Sequence, residues 1–185
     1  MKEVLKSLFT GYSFRSKVEN EEQGDLAVIQ MKDLDNGYQE IGDDLICIDS
    51  SKVPEKYLLQ SGDILFISKG ANNYALVFRK EIKAVAAAAF FVLRPDESKV
   101  IPEYLAWFIN QRDAQRFIEE NRAGTYIPNV NKRTLESIPL RLPEKKLQEK
   151  IVQIDILRKR EYLLTNQLLE LREILVSNQL LKMLN

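Results

Sequence analysis

The chain has 185 residues, 45% apolar and 29% charged, with 27 basic and 27 acidic side chains and a net charge of zero. That is enough for one domain with an appendage and a real core, and no apolar run approaches the roughly 20 residues of a membrane span. There is no histidine, which excludes Ser-His-Asp triads, imidazole acid–base catalysis and histidine metal sites.

Residues 1–20 lack the pattern of a signal peptide, so a cytoplasmic location is expected. Leu26 to Met31 is a short β-favouring run, closed by Lys32-Asp33. Leu45 to Ile48 is another, and it encloses the single cysteine, Cys47, which reads as a buried, inert thiol. Gly62-Asp63 opens the apolar strand Ile64 to Ile67. The loop Lys69-Gly70-Ala71-Asn72-Asn73 follows, and then Tyr74 to Phe78, so Ile64 to Phe78 reads as a hairpin. Ala84 to Leu93 is apolar on both alternating faces and predicts one central, doubly covered strand. Pro95-Asp96-Glu97-Ser98-Lys99 holds the letters of a nuclease-like acidic set, but consecutive residues in a turn diverge, and it reads as a polar loop.

Helical spacing takes over at Pro102. Tyr104, Leu105, Phe108, Ile109, Phe117 and Ile118 recur at that spacing up to Asn121, and Gly124 ends the segment. Thr125 to Arg133 is polar and irregular. Leu135, Ile138, Leu140 and Leu142 form a small apolar patch, and Pro143 marks a boundary. From Glu144 to about Met183 there is neither Pro nor Gly, which predicts a helix of roughly 60 Å. Ile154, Leu157, Leu164, Leu168, Leu171 and Leu175 fit a heptad seam interrupted by Glu161. A helix this apolar and this long predicts partner helices from another chain. The fold class is therefore α+β: a mixed-sheet domain with packed helices over 1–142, followed by one long C-terminal helix over 143–185.

Charge is unevenly placed. Residues 1–60 hold 7 Lys/Arg against 12 Asp/Glu, and residues 112–160 hold 12 against 7. A local positive field, not a positive total, is what a polyanion requires.

Several segments together resemble the specificity subunits of Type I restriction-modification enzymes. They are Gly11-Tyr12-Ser13-Phe14-Arg15-Ser16, Val28 to Leu34 followed by Gly37, Leu59-Gln60-Ser61-Gly62-Asp63-Ile64-Leu65, Ile101-Pro102-Glu103-Tyr104-Leu105, and Ile138-Pro139-Leu140-Arg141-Leu142-Pro143 with Gln148, Ile151 and Val152. Leu147 stands where the family pattern has an acidic residue before Gln148. The resemblance covers nearly the whole chain. It implies a target-recognition domain that binds double-stranded DNA, a spacer helix, and no catalysis or cofactor of its own. Chemistry would come from an adenine methyltransferase subunit and a restriction/translocase subunit. Family members usually carry two such units with antiparallel spacer helices. This chain has one, which implies a homodimer or pairing with another half-subunit through the C-terminal helix.

Arg, Lys, Asn and Gln are the usual readers of base edges, and basic groups hold phosphates. Candidate DNA contacts are Arg15 and Lys17; Lys69, Asn72, Asn73 and Tyr74; and Tyr126, Asn129, Asn131, Lys132 and Arg133. Local roles compete for some of them. Arg15 can stabilise a turn, Asn72 and Asn73 suit turn conformations, and Asn131 suits a helix N-cap. Lys132 and Arg133 can be ordinary surface charges, and Tyr12 and Phe14 read as packing. A protein-interaction adaptor built on a coiled-coil helix, without DNA binding, is the second reading.

Overall fold

The structure, a computed structural model, describes residues 1–35, 40–70, 72–121 and 129–183. Among the described residues seven strands and four α-helices follow in chain order: β1 (Leu5–Thr10), β2 (Leu26–Ile29), β3 (Ile46–Ile48), β4 (Ile64–Ile67), β5 (Ala75–Val77), β6 (Ala84–Ala86), β7 (Phe90–Pro95), α1 (Pro102–Ile109), α2 (Arg112–Asn121), α3 (Lys132–Ser137) and α4 (Lys145–Lys182). The class is α+β, as expected.

A four-stranded antiparallel sheet has the order β1-β7-β4-β5, and a smaller sheet has the order β3-β2-β6, with β2 and β6 parallel. The alternation of side chains along a strand assigns its faces. Ile64 and Phe66 of β4 look toward α1–α3, where Leu105, Ile109, Ile118 and Leu135 are buried. Leu65 and Ile67 look the other way, onto Ile29 and Ala86 of the small sheet. The outer face of that sheet packs Leu26, Val28 and Val85 against Tyr12, Phe14 and Tyr57. The domain thus layers helices, large sheet, small sheet and a loop-borne aromatic cover. Tyr12 meets Phe14 and Tyr57 edge-on, at 4.8 and 5.2 Å between ring centroids, so the packing role expected of Tyr12 and Phe14 holds.

Three expectations are corrected. The single strand over Ala84 to Leu93 is two strands in two sheets, joined by a tight turn closed by Phe90 N–H to Ala87 C=O at 3.0 Å. Ala87 to Ala89, between the two strands, carry only methyl side chains and belong to neither sheet. The single helix from Pro102 to Asn121 breaks after Ile109. There the Asn110 amide turns aside to donate to the Ala75 carbonyl and accept from the Ala75 N–H, at 2.7 and 2.9 Å, closing the free edge of β5. Cys47 is half-buried rather than buried. Of the apolar patch, Leu135 and Ile138 are buried and Leu140 half-buried, while Leu142 is exposed.

Candidate nucleic-acid interface

The turn between β6 and β7 organises the end of the large sheet. Strand β1 runs into it: Gly11 N–H reaches Phe90 C=O at 2.9 Å and Tyr12 N–H reaches Ala86 C=O at 2.7 Å. A Cβ at Gly11 would collide with the Ala86 and Ala87 carbonyl oxygens, so only glycine passes this close. Strand β4 ends on the same turn, where Ser68 donates its N–H and its hydroxyl to Ala89 C=O at 2.9 and 2.8 Å. Gly70 follows with φ +101°, a left-handed conformation that other residues resist.

The segment before α3 then closes on Ser68. Val130 N–H donates to Ser68 C=O at 2.9 Å, and Lys69 pairs with Asn129 in an isolated antiparallel bridge. Val130 is fully buried beneath them. Two loops distant in sequence become one surface, with Lys69 and Asn129 exposed side by side. Asn131 caps α3, its Oδ1 accepting the Thr134 N–H at 2.8 Å. Lys132 and Arg133 are exposed in the first turn of α3, and Lys132 lies 4.0 Å from Glu136.

The remaining candidates divide. Arg15 and Lys17 are exposed, on the segment that leaves the same turn through Gly11 and Tyr12. They rim a cleft of about 340 Å³ walled by Tyr12, Phe14 and Ile48. Asn72 is exposed at the tip of the β4–β5 loop. Asn73 turns inward: it is buried, and its Nδ2 donates to Ile67 C=O at 2.9 Å, which commits the amide to holding its own loop. Tyr74 is half-buried beside Trp107 and Arg158, away from the loop tip. Tyr126 lies outside the described residues. Ser68 escaped sequence reasoning. Its serine hydroxyl carried no signal, because its importance comes from two neighbours remote in the chain, the Ala89 carbonyl it donates to and the Val130 N–H its own carbonyl accepts.

Electrostatics separate the two halves of the charge pattern. Among the described residues, no carboxylate lies within ion-pair distance of Arg15, Lys17, Lys69 or Arg133. Several acidic residues of the first sixty are instead engaged with nearby groups. Glu21 pairs with Lys52 at 2.7 Å, and Lys83 with Asp25 at 3.1 Å. The Ser50 N–H and hydroxyl, with Lys83, hold the Asp25 carboxyl at about 2, below the ordinary carboxylate range.

Two family-like segments acquire physical roles. In Gly62-Asp63-Ile64-Leu65, Gly62 has φ +93° and Asp63 is 1% exposed. Arg94 of β7 grips the Asp63 carboxylate with Nε and Nη2, both at 2.8 Å, and donates again to Leu58 C=O. That partner raises the Arg94 pKa, against the effect of burial. Gln148 near the start of α4 is fully buried. It accepts the Ile101 N–H that opens α1, at 2.9 Å, and donates to Pro143 C=O at 2.8 Å. Asp96 accepts from the Ser98 N–H and hydroxyl, so the nuclease-like letters form a self-satisfied turn. Among the described residues no group of three His, Cys, Asp or Glu converges as metal ligands, and no helix is long and apolar enough to cross a membrane.

The chain was compared with known proteins. A family model described as the Type I restriction modification DNA specificity domain matches residues 1–171. The Type I restriction enzyme HindI specificity subunit of Haemophilus influenzae is 30% identical over 104 residues, covering 54% of this chain and 22% of that protein. Three solved structures share the fold. A chain from a structure on complex assembly and conformational transition of the type I R-M system has a TM-score of 0.65 at 16% identity, covering 86% of this chain and 41% of its own. The HsdS subunit from Thermoanaerobacter tengcongensis gives 0.59 at 18% identity, covering 74% and 36%. The S subunit from M. genitalium gives 0.54 at 15% identity, covering 86% and 38%. The chain thus spans about a fifth of the curated relative and less than half of each solved chain. With the family model matching most of its length, the chain belongs to the Type I restriction-modification DNA specificity domain family.

Proposed function

We propose that this chain is a non-catalytic, sequence-specific DNA-recognition unit. Residues 1–142 form the target-recognition domain and residues 143–185 a spacer and pairing helix. The observation that carries this reading is the Lys69–Asn129 bridge. It sets Lys69 beside Asn129 on one exposed surface, with Asn131, Lys132 and Arg133 next along the chain and Asn72 farther around the β4–β5 loop. Lys and Arg supply phosphate affinity there, while the Asn72 and Asn129 amides match adenine edges; the Asn131 oxygen is taken up in capping α3. Arg15 and Lys17, on the third segment tied to the same turn, extend the positive field. Asn73 and Tyr74 do not belong to this contact surface.

Family membership supports partners that supply the chemistry, an adenine methyltransferase subunit and a restriction/translocase subunit. The exposed apolar face of α4 supports a homodimer or pairing with another half-subunit. A two-fold homodimer reads two identical half-sites in inverted orientation, with helix length as the ruler between them.

The test is a salt titration of binding to a duplex the protein prefers. Lys69→Ala and Arg133→Ala each lower affinity and reduce the slope of log K against log salt by about one unit. Unchanged affinity and slope in both variants remove this surface from the account.

A further inference from the structure

Between β1 and β2 the chain crosses the outer face of the small sheet without regular structure. Among the described residues, none from Ser13 to Glu19 makes a hydrogen bond or an ion pair, through backbone or side chain. Packing alone holds the stretch, with Phe14 and Val18 half-buried on the small sheet. It borders the cleft of about 340 Å³ whose walls are Tyr12, Phe14 and Ile48. The far side is fixed, because the Tyr12 hydroxyl donates to Lys52 C=O at 3.2 Å. Charge on the rim is sorted. Glu21 is spent on Lys52 at 2.7 Å, which leaves Arg15, Lys17 and Glu19 exposed and unpaired.

We infer that this cleft takes one base of the bound DNA, turned out of the stack, with Arg15 and Lys17 on the phosphates that flank it. This rests on the DNA-recognition reading above. Four observations choose the occupant. The cleft lies at the small end of the roughly 300–1,000 Å³ of ligand pockets, which suits a single nucleotide. Aromatic walls offer a π-face, on which any base can stack. Two free cations beside those walls match the phosphates on either side of an extruded base. Position agrees as well. Tyr12 is bonded to Ala86 and Ser68 to Ala89, so one turn carries both the cleft and the Lys69–Asn129 surface. A protein strand paired to the open backbone of residues 13–19 fits less well, since the segment bends at Arg15 and Ser16 and offers no straight edge. Glu19 adds a preference. Its carboxylate accepts from the exocyclic amino group of cytosine and repels the carbonyl that thymine carries at the same place.

The experiment uses the full chain and the duplex it enriches from a random pool. A series of duplexes carries one mismatch at each position in turn. Extruding a base costs least where its pair is already broken, whereas a mismatch elsewhere in the site removes contacts. The expected result is one position at which a mismatch tightens binding about tenfold, more with cytosine than with thymine as the unpaired base. Phe14→Ala weakens binding of that duplex by about 5- to 150-fold and removes its advantage over the paired one, while Phe14→Tyr keeps the advantage. Glu19→Ala, at an exposed and unpaired side chain, tests the cleft without touching its packing, and it makes cytosine and thymine equivalent. A series in which no mismatch tightens binding overturns the cleft assignment, as does an advantage that survives Phe14→Ala; a cleft filled by a protein strand gives the first of these results. Both leave the DNA-recognition reading standing as long as Lys69→Ala weakens binding of the paired duplex. A chain that binds no duplex overturns the two together.

Discussion

Asp63 and Arg94 tie the start of β4 to the end of β7, at the opposite end of the large sheet from the proposed DNA surface. The carboxylate is 1% exposed and takes a bidentate grip plus the Gln60 N–H at 2.8 Å. Removing one partner of such a pair strands the other charge. Asp63→Ala is predicted to cost about 3–5 kcal/mol in urea unfolding, far more than Asp43→Ala, whose pair with Lys80 is exposed and screened by water. Asp155 makes a second residue-scale prediction. Burial pushes its carboxyl up, but hydrogen bonds from Arg158 and Lys159, at 2.8 and 2.9 Å, outweigh that and hold it below the ordinary range. A depressed folded pKa means the stabilisation is complete above the unfolded value, near 4, and fades as pH falls through the folded one. Amide exchange over 145–159 is therefore expected to speed up on acidification below pH 4, and Asp155→Asn to remove that part of the pH dependence.

At the scale of elements, sequence patterns carried the hairpin β4–β5 and the helix α4. Each is marked by local chemistry: Gly62-Asp63 and a polar loop in the first, an uninterrupted helix-forming composition in the second. Strand β1 was not legible, since Leu5–Thr10 mixes Lys6 and Ser7 with Leu8 and Phe9 and gains its strand character by pairing with β7. The division of Ala84–Leu93 depended on Gly11, some seventy residues away, crossing the alanine turn. The break between α1 and α2 depended on the edge of β5 needing a partner. The candidate loops were legible as loops by their Gly, Asn and Lys content. Their union through Lys69 and Asn129 was not, and neither was the inward turn of Asn73. The Asn110 plug gives an element-scale prediction. Asn110→Ala leaves the Ala75 N–H and C=O without their partners and costs about 1–3 kcal/mol, with faster amide exchange in β5 than in β4.

At the scale of the whole molecule, α4 decides what the chain can be. Its 38 residues span about 57 Å, and its far half offers the domain nothing. Leu157, Leu164, Leu168, Leu171 and Leu175 are all exposed in a single copy, an apolar surface that association would cover. Leu168→Glu is predicted to shift the chain to monomer in light scattering while urea unfolding of the domain stays unchanged. Loss of pairing should weaken binding to a two-part site far more than binding to one half-site, because the second contact ceases to be intramolecular.

The most direct test of the central claim, that this chain reads DNA sequence, is selection of bound duplexes from a random pool by the purified chain. The account predicts enrichment of one sequence, written as an inverted repeat with a fixed spacer if the chain pairs with itself, and loss of that enrichment in a Lys69→Ala, Arg133→Ala double variant. A pool that returns with no enriched sequence, or one enriched equally by the double variant, contradicts it.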